Sequence, residues 1–178
     1  MDIGKLPPSL LEKLLSKNLI EDPRVLLGPQ VGEDAAVLDM GERLLVVTSD
    51  PVTFASDQIG WYAVQVNAND VACSGASPLW FLATLLLPER STEADAEGVF
   101  SQIVEACRAV GASLVGGHSE VTFGIDRPII LGTMLGEVDR GKLVRTGGAQ
   151  EGDSIVLTKG IAIEGTALLA RERAEAST

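Results

Sequence analysis

Residues Gln65–Pro78 read QVNANDVACSGASP, and this stretch decides how the rest of the chain is read. It opens as a helix and closes on a glycine turn at Gly75, just before the most apolar run of the sequence. Asn69 and Asp70 place two oxygen-bearing side chains on an otherwise small and apolar surface. Upstream, Gly32-Glu33-Asp34 and Thr48-Ser49-Asp50 bring further acids to the ends of predicted elements. Downstream, Gly116-Gly117-His118-Ser119-Glu120 reads as a glycine-rich turn. The expectation is that these stations converge on a divalent metal and a phosphate chain.

Composition sets the frame. The chain has 178 residues, the size of one domain, and 46% of them are hydrophobic. Aromatics make up only 4%, so Val, Leu, Ile and Ala must build the core. The net charge of −11 argues against a nucleic-acid partner, because phosphate contacts along a backbone need Lys and Arg. It does not argue against one bound nucleotide, since Mg²⁺ can supply the local positive charge. Cys73 and Cys107 lie far apart, lack CxxC spacing and fall in predicted helices, so both are expected to be buried free thiols. The start, MDIGKLPPSLLEKLL, is an amphipathic helix, and no apolar run is long enough to span a bilayer. The expected location is the cytoplasm, with no membrane partner.

Working outward along the chain, Pro7-Pro8-Ser9 opens a helix through Leu10, Leu11, Leu14 and Leu15 at helical spacing. Strands are predicted at Ala35–Met40 and Arg43–Ser49, the second stopped by Asp50 and Pro51. A helix enters at Ser56-Asp57, with Trp61, Val64, Ala68 and Val71 on one face, and ends at Gly75. Leu79–Leu87 is a strongly apolar strand. Ser91-Thr92-Glu93 caps a long helix to Val110, with Gly111 as its C′ residue. Strands follow at Ser113–Val115, Pro128–Val138 and Ser154–Thr158, then a short helix near Glu164–Ala170. The order is mixed rather than strictly alternating, which predicts an α+β fold: a mixed sheet with helices on one face. Leu44–Val47 and Leu79–Leu87 are continuous apolar runs that need cover on both faces, so a homodimer is expected. Arg140–Gly152 is polar and glycine-rich, which divides the chain into a domain at 1–150 and, at 151–178, the start of a second.

Mg²⁺ wants hard oxygen ligands, typically one or two carboxylates completed by phosphate and water. Asp34, Asp50 and Asp70 suit that need jointly, although any one of them taken alone is ordinarily a cap or turn former. Asn69 would orient a ligand or a water, or else cap its helix. Gly116-Gly117 would let the backbone approach a phosphate as an anion nest, or is simply a turn. His118 is the sole histidine, as readily structural as functional. No GxxxxGK[ST] and no strand-linked GxGxxG is present, so neither a P-loop nor a Rossmann site is supported. No catalytic residue is assigned.

Five motifs in order carry a resemblance: VGEDAAVL (31–38), VVTSD (46–50), NANDVACSGASPLWFLATLLLP (67–88), VGGHSEVT (115–122) and TKGIAIEGTALLARE (158–172). Together they resemble the aminoimidazole ribonucleotide (AIR) synthetase superfamily, which includes thiamine-monophosphate kinase, selenophosphate synthetase and the E-type hydrogenase maturation protein. The last motif is most similar to the hydrogenase expression/formation branch. The resemblance implies an N-terminal domain that dimerises through its sheet into a barrel-like interface, with ATP in a groove there and Mg²⁺ on acidic residues. By motif position it implies metal contacts for Asp34, Asp50 and Asp70. It implies nucleotide contacts for Asn69, Asp70, Gly116, Gly117 and His118.

Two departures stand out. Glu33 replaces the first acid of the family's GDDAA, and His118 stands where the acid of GGDT is expected, so Glu120 is the candidate to take over as metal ligand. The family also carries a second domain after the TKG helix, and the maturation protein acts through a C-terminal cysteine that this sequence lacks. The expectation is an ATP·Mg²⁺-binding N-terminal half that activates a substrate oxygen by phosphorylation, the substrate being a small molecule or a protein tail. Hydrogenase maturation factors are the implied partners. The alternatives are a non-catalytic dimerisation or regulatory module, and a thiamine-monophosphate kinase-like or other small-molecule kinase or ligase.

Overall fold

The computed structural model describes residues 4–18, 21–53, 55 and 57–175. Its elements run α1 (Pro8–Asn18), β1 (Val25–Leu27), β2 (Ala36–Asp39), β3 (Arg43–Val52), α2 (Ile59–Cys73), β4 (Ser77–Pro88), α3 (Glu93–Val110), β5 (Ser113–Thr122), β6 (Ile129–Asp139) and α4 (Ile163–Glu175). Two compact units divide between Gly148 and Ala149. None of the helices is long and apolar enough to cross a membrane among the described residues.

The first unit is a mixed α+β fold. Its six strands are ordered β1-β2-β3-β6-β4-β5. Every neighbouring pair is antiparallel except β4–β5, which is parallel and joined through α3. A parallel pair needs such a crossover, whereas β5 and β6 are linked by a short loop. Alternation along the strands sends one set of side chains under the helices. Val46, Phe81, Leu85, Ile130 and Met134 are buried there, against Ile59, Val64 and Val71 of α2 and Ile103 of α3. The opposite set, including Leu45, Val47, Leu82, Leu86 and Leu135, remains half-exposed, and Leu131 is 40% exposed. Helices therefore cover one face, as the order of elements predicts, and the second face of the apolar runs is open within the first unit.

The ends of α3 follow their local chemistry. Thr92 accepts from the Asp95 N–H while the Asp95 carboxylate takes the Thr92 N–H, and Gly111 closes the helix in the left-handed conformation at φ 76°. The α2 boundaries shift from expectation: the helix begins at Ile59 after Gln58, and Trp61 is exposed rather than on the buried face. Ser56 lies outside the described residues.

Three sequence expectations are overturned. Asp50 and Pro51 do not stop β3, which continues to Val52 because β6 pairs with it along its whole length. Gly116-Gly117 is not a turn: both lie inside β5, ten residues long, held by its ladder to β4. Val115 is the extra residue of a bulge, opposite the Phe81–Leu82 step. Ser154–Thr158 forms no strand, since no described segment pairs with it. In the second unit, Ile155, Val156 and Ile161 are largely exposed and α4 is the one regular element among the described residues. Both cysteines are free; Cys107 is buried as expected, whereas Cys73 is exposed.

Candidate functional site

β3 presents Thr48 and Asp50 to the helical layer, because residues two apart on a strand share a face. α2 lays Asn67 and Asp70 over them, three apart on one helix face. The loop before β2 carries Asp34. The Thr48 hydroxyl ties these together: it lies 2.8 Å from the Asp34 carbonyl oxygen and 3.2 Å from Asp70 Oδ2. The one hydroxyl proton of Thr48 is thus divided between two acceptors.

Burial pushes the Asp70 carboxyl up to about 7, helped by hydrogen-bond contact with Asp50, by the Asp50 charge and by the charge of Asp34; the Thr48 hydroxyl opposes the rise. Two carboxyl groups in contact oppose each other's ionisation, which adds to the effect of burial on Asp70. The charges of Asp50 and Asp34 that act on Asp70 are both acidic, and carboxylates brought together in this way are the donors a cation takes. No group of three or more His, Cys, Asp or Glu closes into a ready-made cage among the described residues. Such an open cluster suits Mg²⁺, which takes one or two carboxylates and leaves positions for phosphate and water.

Asn67 completes the local structure. It is fully buried, and its amide accepts from the Asp50 N–H at 3.0 Å while donating to the Asp50 carbonyl at 3.3 Å and the Ala63 carbonyl at 2.8 Å. Gly132 of β6 makes room for it: a Cβ there would stand 2.4 Å from Asn67 Nδ2. Sequence reasoning overlooked both Asn67 and Thr48. Their signal was available in the spacing, three before Asp70 on a helix and two before Asp50 on a strand.

The other predicted residues fall elsewhere. Asn69 is exposed in the last turns of α2, so it does not cap that helix. Gly116, Gly117, His118 and Glu120 sit on β5, separated from β3 by β6 and β4. Three strand spacings amount to roughly 14 Å, so β5 does not join the acidic cluster within this chain. His118 Nε2 and Glu120 Oε2 pair at 3.0 Å, both side chains about half exposed. Gly117 has φ 142°, and a Cβ on it would lie within bonding distance of the Ala83 carbonyl oxygen. It allows close packing of β5 on β4 rather than forming a nest.

The model of the family described as AIR synthase related protein, N-terminal domain, matches residues 32–138. The chain belongs to the AIR synthase-related family. The matched span runs from the loop before β2 through β6 and so includes every residue of the cluster. Among members similar to it, a Methanocaldococcus jannaschii protein named for hydrogenase expression and formation is 33% identical over 172 residues, 93% of this chain and 51% of that protein. The selenide, water dikinase of Dechloromonas aromatica is 31% identical over 173 residues, 92% of this chain and 49% of the enzyme. Among solved structures, AaThiL complexed with AMPPCP and TMP superposes with a TM-score of 0.70 at 28% identity, covering 92% of this chain and 51% of that one. This AIR synthase-related chain spans about half the length of the relatives it matches.

Proposed function

We propose that this chain is the ATP·Mg²⁺-binding N-terminal half of an AIR synthase-related enzyme of the hydrogenase expression/formation type, which activates a substrate oxygen by phosphoryl transfer. The observation that carries the reading is the convergence of Asp34, Asp50 and Asp70 around Thr48, with Asp70 raised to about 7 by its acidic neighbours. Asp50 and Asp70, with Asp34 beside them, would hold Mg²⁺. When bound, the ion neutralises phosphate charge, and phosphoryl transfer asks little more of a protein than positioning and charge. Supporting it from outside the chain, AaThiL was solved with AMPPCP, an adenine nucleotide analogue. A second copy of the chain would cover the open face of the sheet, on the side away from the acidic cluster, and would meet Gly116, His118 and Glu120 of β5 there.

The test is calorimetric titration of ATP with and without Mg²⁺. Wild type should bind saturably only with Mg²⁺, and Asp70→Asn should lose at least ten-fold in affinity while its circular dichroism spectrum is unchanged. Wild-type binding by that variant removes Asp70 from the site. A second reading, a non-catalytic dimerisation module, is favoured by His118 paired to Glu120 where an acid is expected. It foresees no phosphate release under conditions where the enzyme reading requires turnover.

A further inference from the structure

From the geometry around Asp50 we infer that Asn67 is a positioning residue for the metal site, holding the Asp50 main chain so that its carboxylate meets Asp70. The inference rests on the Mg²⁺ reading above. A side-chain amide buried to 0% exposure is costly unless its polar atoms are satisfied. Asn67 spends two of its three hydrogen bonds on one residue: Oδ1 takes the Asp50 N–H and Nδ2 gives to the Asp50 carbonyl. One amide thus grips residue 50 at both of its main-chain groups, as the peptide of a neighbouring strand would.

The surrounding chain leaves residue 50 little freedom beyond that grip. Pro51 follows with its fixed φ, and Ser49 is anchored through Oγ to the Gly132 carbonyl at 3.0 Å and to Thr133 Oγ1 at 3.1 Å. The third bond of Asn67, to Ala63 one turn back on α2, locks its own rotamer. Asp70 is the next turn of the same helix. A single helix therefore delivers one carboxylate of the pair and the clamp that aims the other, and β6 carries glycine at 132 so that the amide can reach. Nothing in packing alone requires an amide here. Leucine, with the same branching at Cγ, would suit a purely apolar pocket, whereas an amide offers a donor and an acceptor to Asp50 together.

The experiment measures the Mg²⁺ concentration at half-maximal ATP binding for the full chain, alongside its thermal midpoint. Asn67→Ala is expected to raise the Mg²⁺ midpoint at least ten-fold. Asn67→Ser, which keeps an oxygen for the Asp50 N–H, should fall between. Ile103→Val, a core change on α3 away from the site, controls for lost stability and should leave the Mg²⁺ midpoint at the wild-type value. A folded Asn67→Ala protein with a wild-type midpoint overturns the inference. So does failure of both Asn67 variants to fold, which would make Asn67 a residue of the fold alone. If wild type itself shows no Mg²⁺-dependent ATP binding, the metal reading fails, and that result is separate from any difference between variants.

Discussion

Asp70 is where the sequence, the packing and the chemistry meet in one side chain, and its proton gives a sign that can be checked. Its folded-state pKa of about 7 lies above the value of roughly 3.9 expected in the unfolded chain. Between those two values the folded state binds more protons than the unfolded state. Stability from this group is therefore full at acid pH and is lost as pH rises toward 7. Asp22, Asp39, Asp95, Asp126 and Asp139 are held low, chiefly by hydrogen bonds from Arg24, Arg140, Thr92, Arg127 and Lys142, so their opposite contribution changes only below the ordinary carboxylate range. The metal-free chain should thus melt at a higher temperature at pH 5.5 than at pH 7.5. Asp70→Asn should flatten that difference and melt higher than wild type at pH 7.5. Identical pH slopes for wild type and variant, by scanning calorimetry, would show that Asp70 carries no raised proton. At this scale the three acids were legible, because each stands beside a recognisable break in the pattern. Asn67 offered only its spacing, three before Asp70; its burial was not legible, because a buried amide in a helix looks the same on paper as an exposed one.

Elements were legible where their causes are local. The capping box at Thr92 and the glycine at 111 fix α3 from residues within a turn of each end, and α3 matches its expected span. Strand limits were misread where the cause is a distant partner. Gly116-Gly117 carries the local signature of a turn, yet the β4 residues from Trp80 to Pro88 keep β5 extended through it. Ser154–Thr158 has the local signature of a strand, yet no described partner lies beside it. The two glycines of β5 separate these effects experimentally. An added Cβ at Gly117 collides with the Ala83 main chain at a φ of 142°, so Gly117→Ala should destabilise by about 3 kcal/mol or more. At Gly116 the nearest atom is Leu82 Cδ2 at 3.9 Å, so Gly116→Ala should change stability by no more than about 1 kcal/mol. Urea denaturation midpoints read both. Equal midpoints would mean that β5 does not press on β4 as described.

The whole molecule is organised by a sheet with one covered face. The apolar runs at Leu44–Val47 and Leu79–Leu87 predict cover on two sides, and α2 and α3 supply it on one. The open face of β3, β6, β4 and β5 is about 19 Å wide and about 33 Å long, roughly 600 Å² before side-chain relief is counted. Monomeric proteins rarely expose a contiguous apolar patch larger than that, and a specific interface takes about 800 Å² from each partner. Ser49 and Thr133 form a polar pair within it, and His118 and Glu120 border it, so the face is patterned rather than uniformly greasy. A second copy fits such a face by symmetry, each monomer presenting the same surface to the other. Light scattering should then report a dimer for the wild-type chain. Leu131→Lys, on the open face between Pro51 of β3 and Thr84 of β4, should give a folded monomer, because a buried lysine without a partner costs more than the contact returns. Trp61→Gln, exposed on the helical side, should leave the dimer intact. A monomeric wild type, or a Leu131→Lys protein that still dimerises, would place the interface elsewhere. Loss of the dimer with Mg²⁺-dependent ATP binding retained in Leu131→Lys would show that each copy holds its own acidic cluster, on the helical side of its sheet.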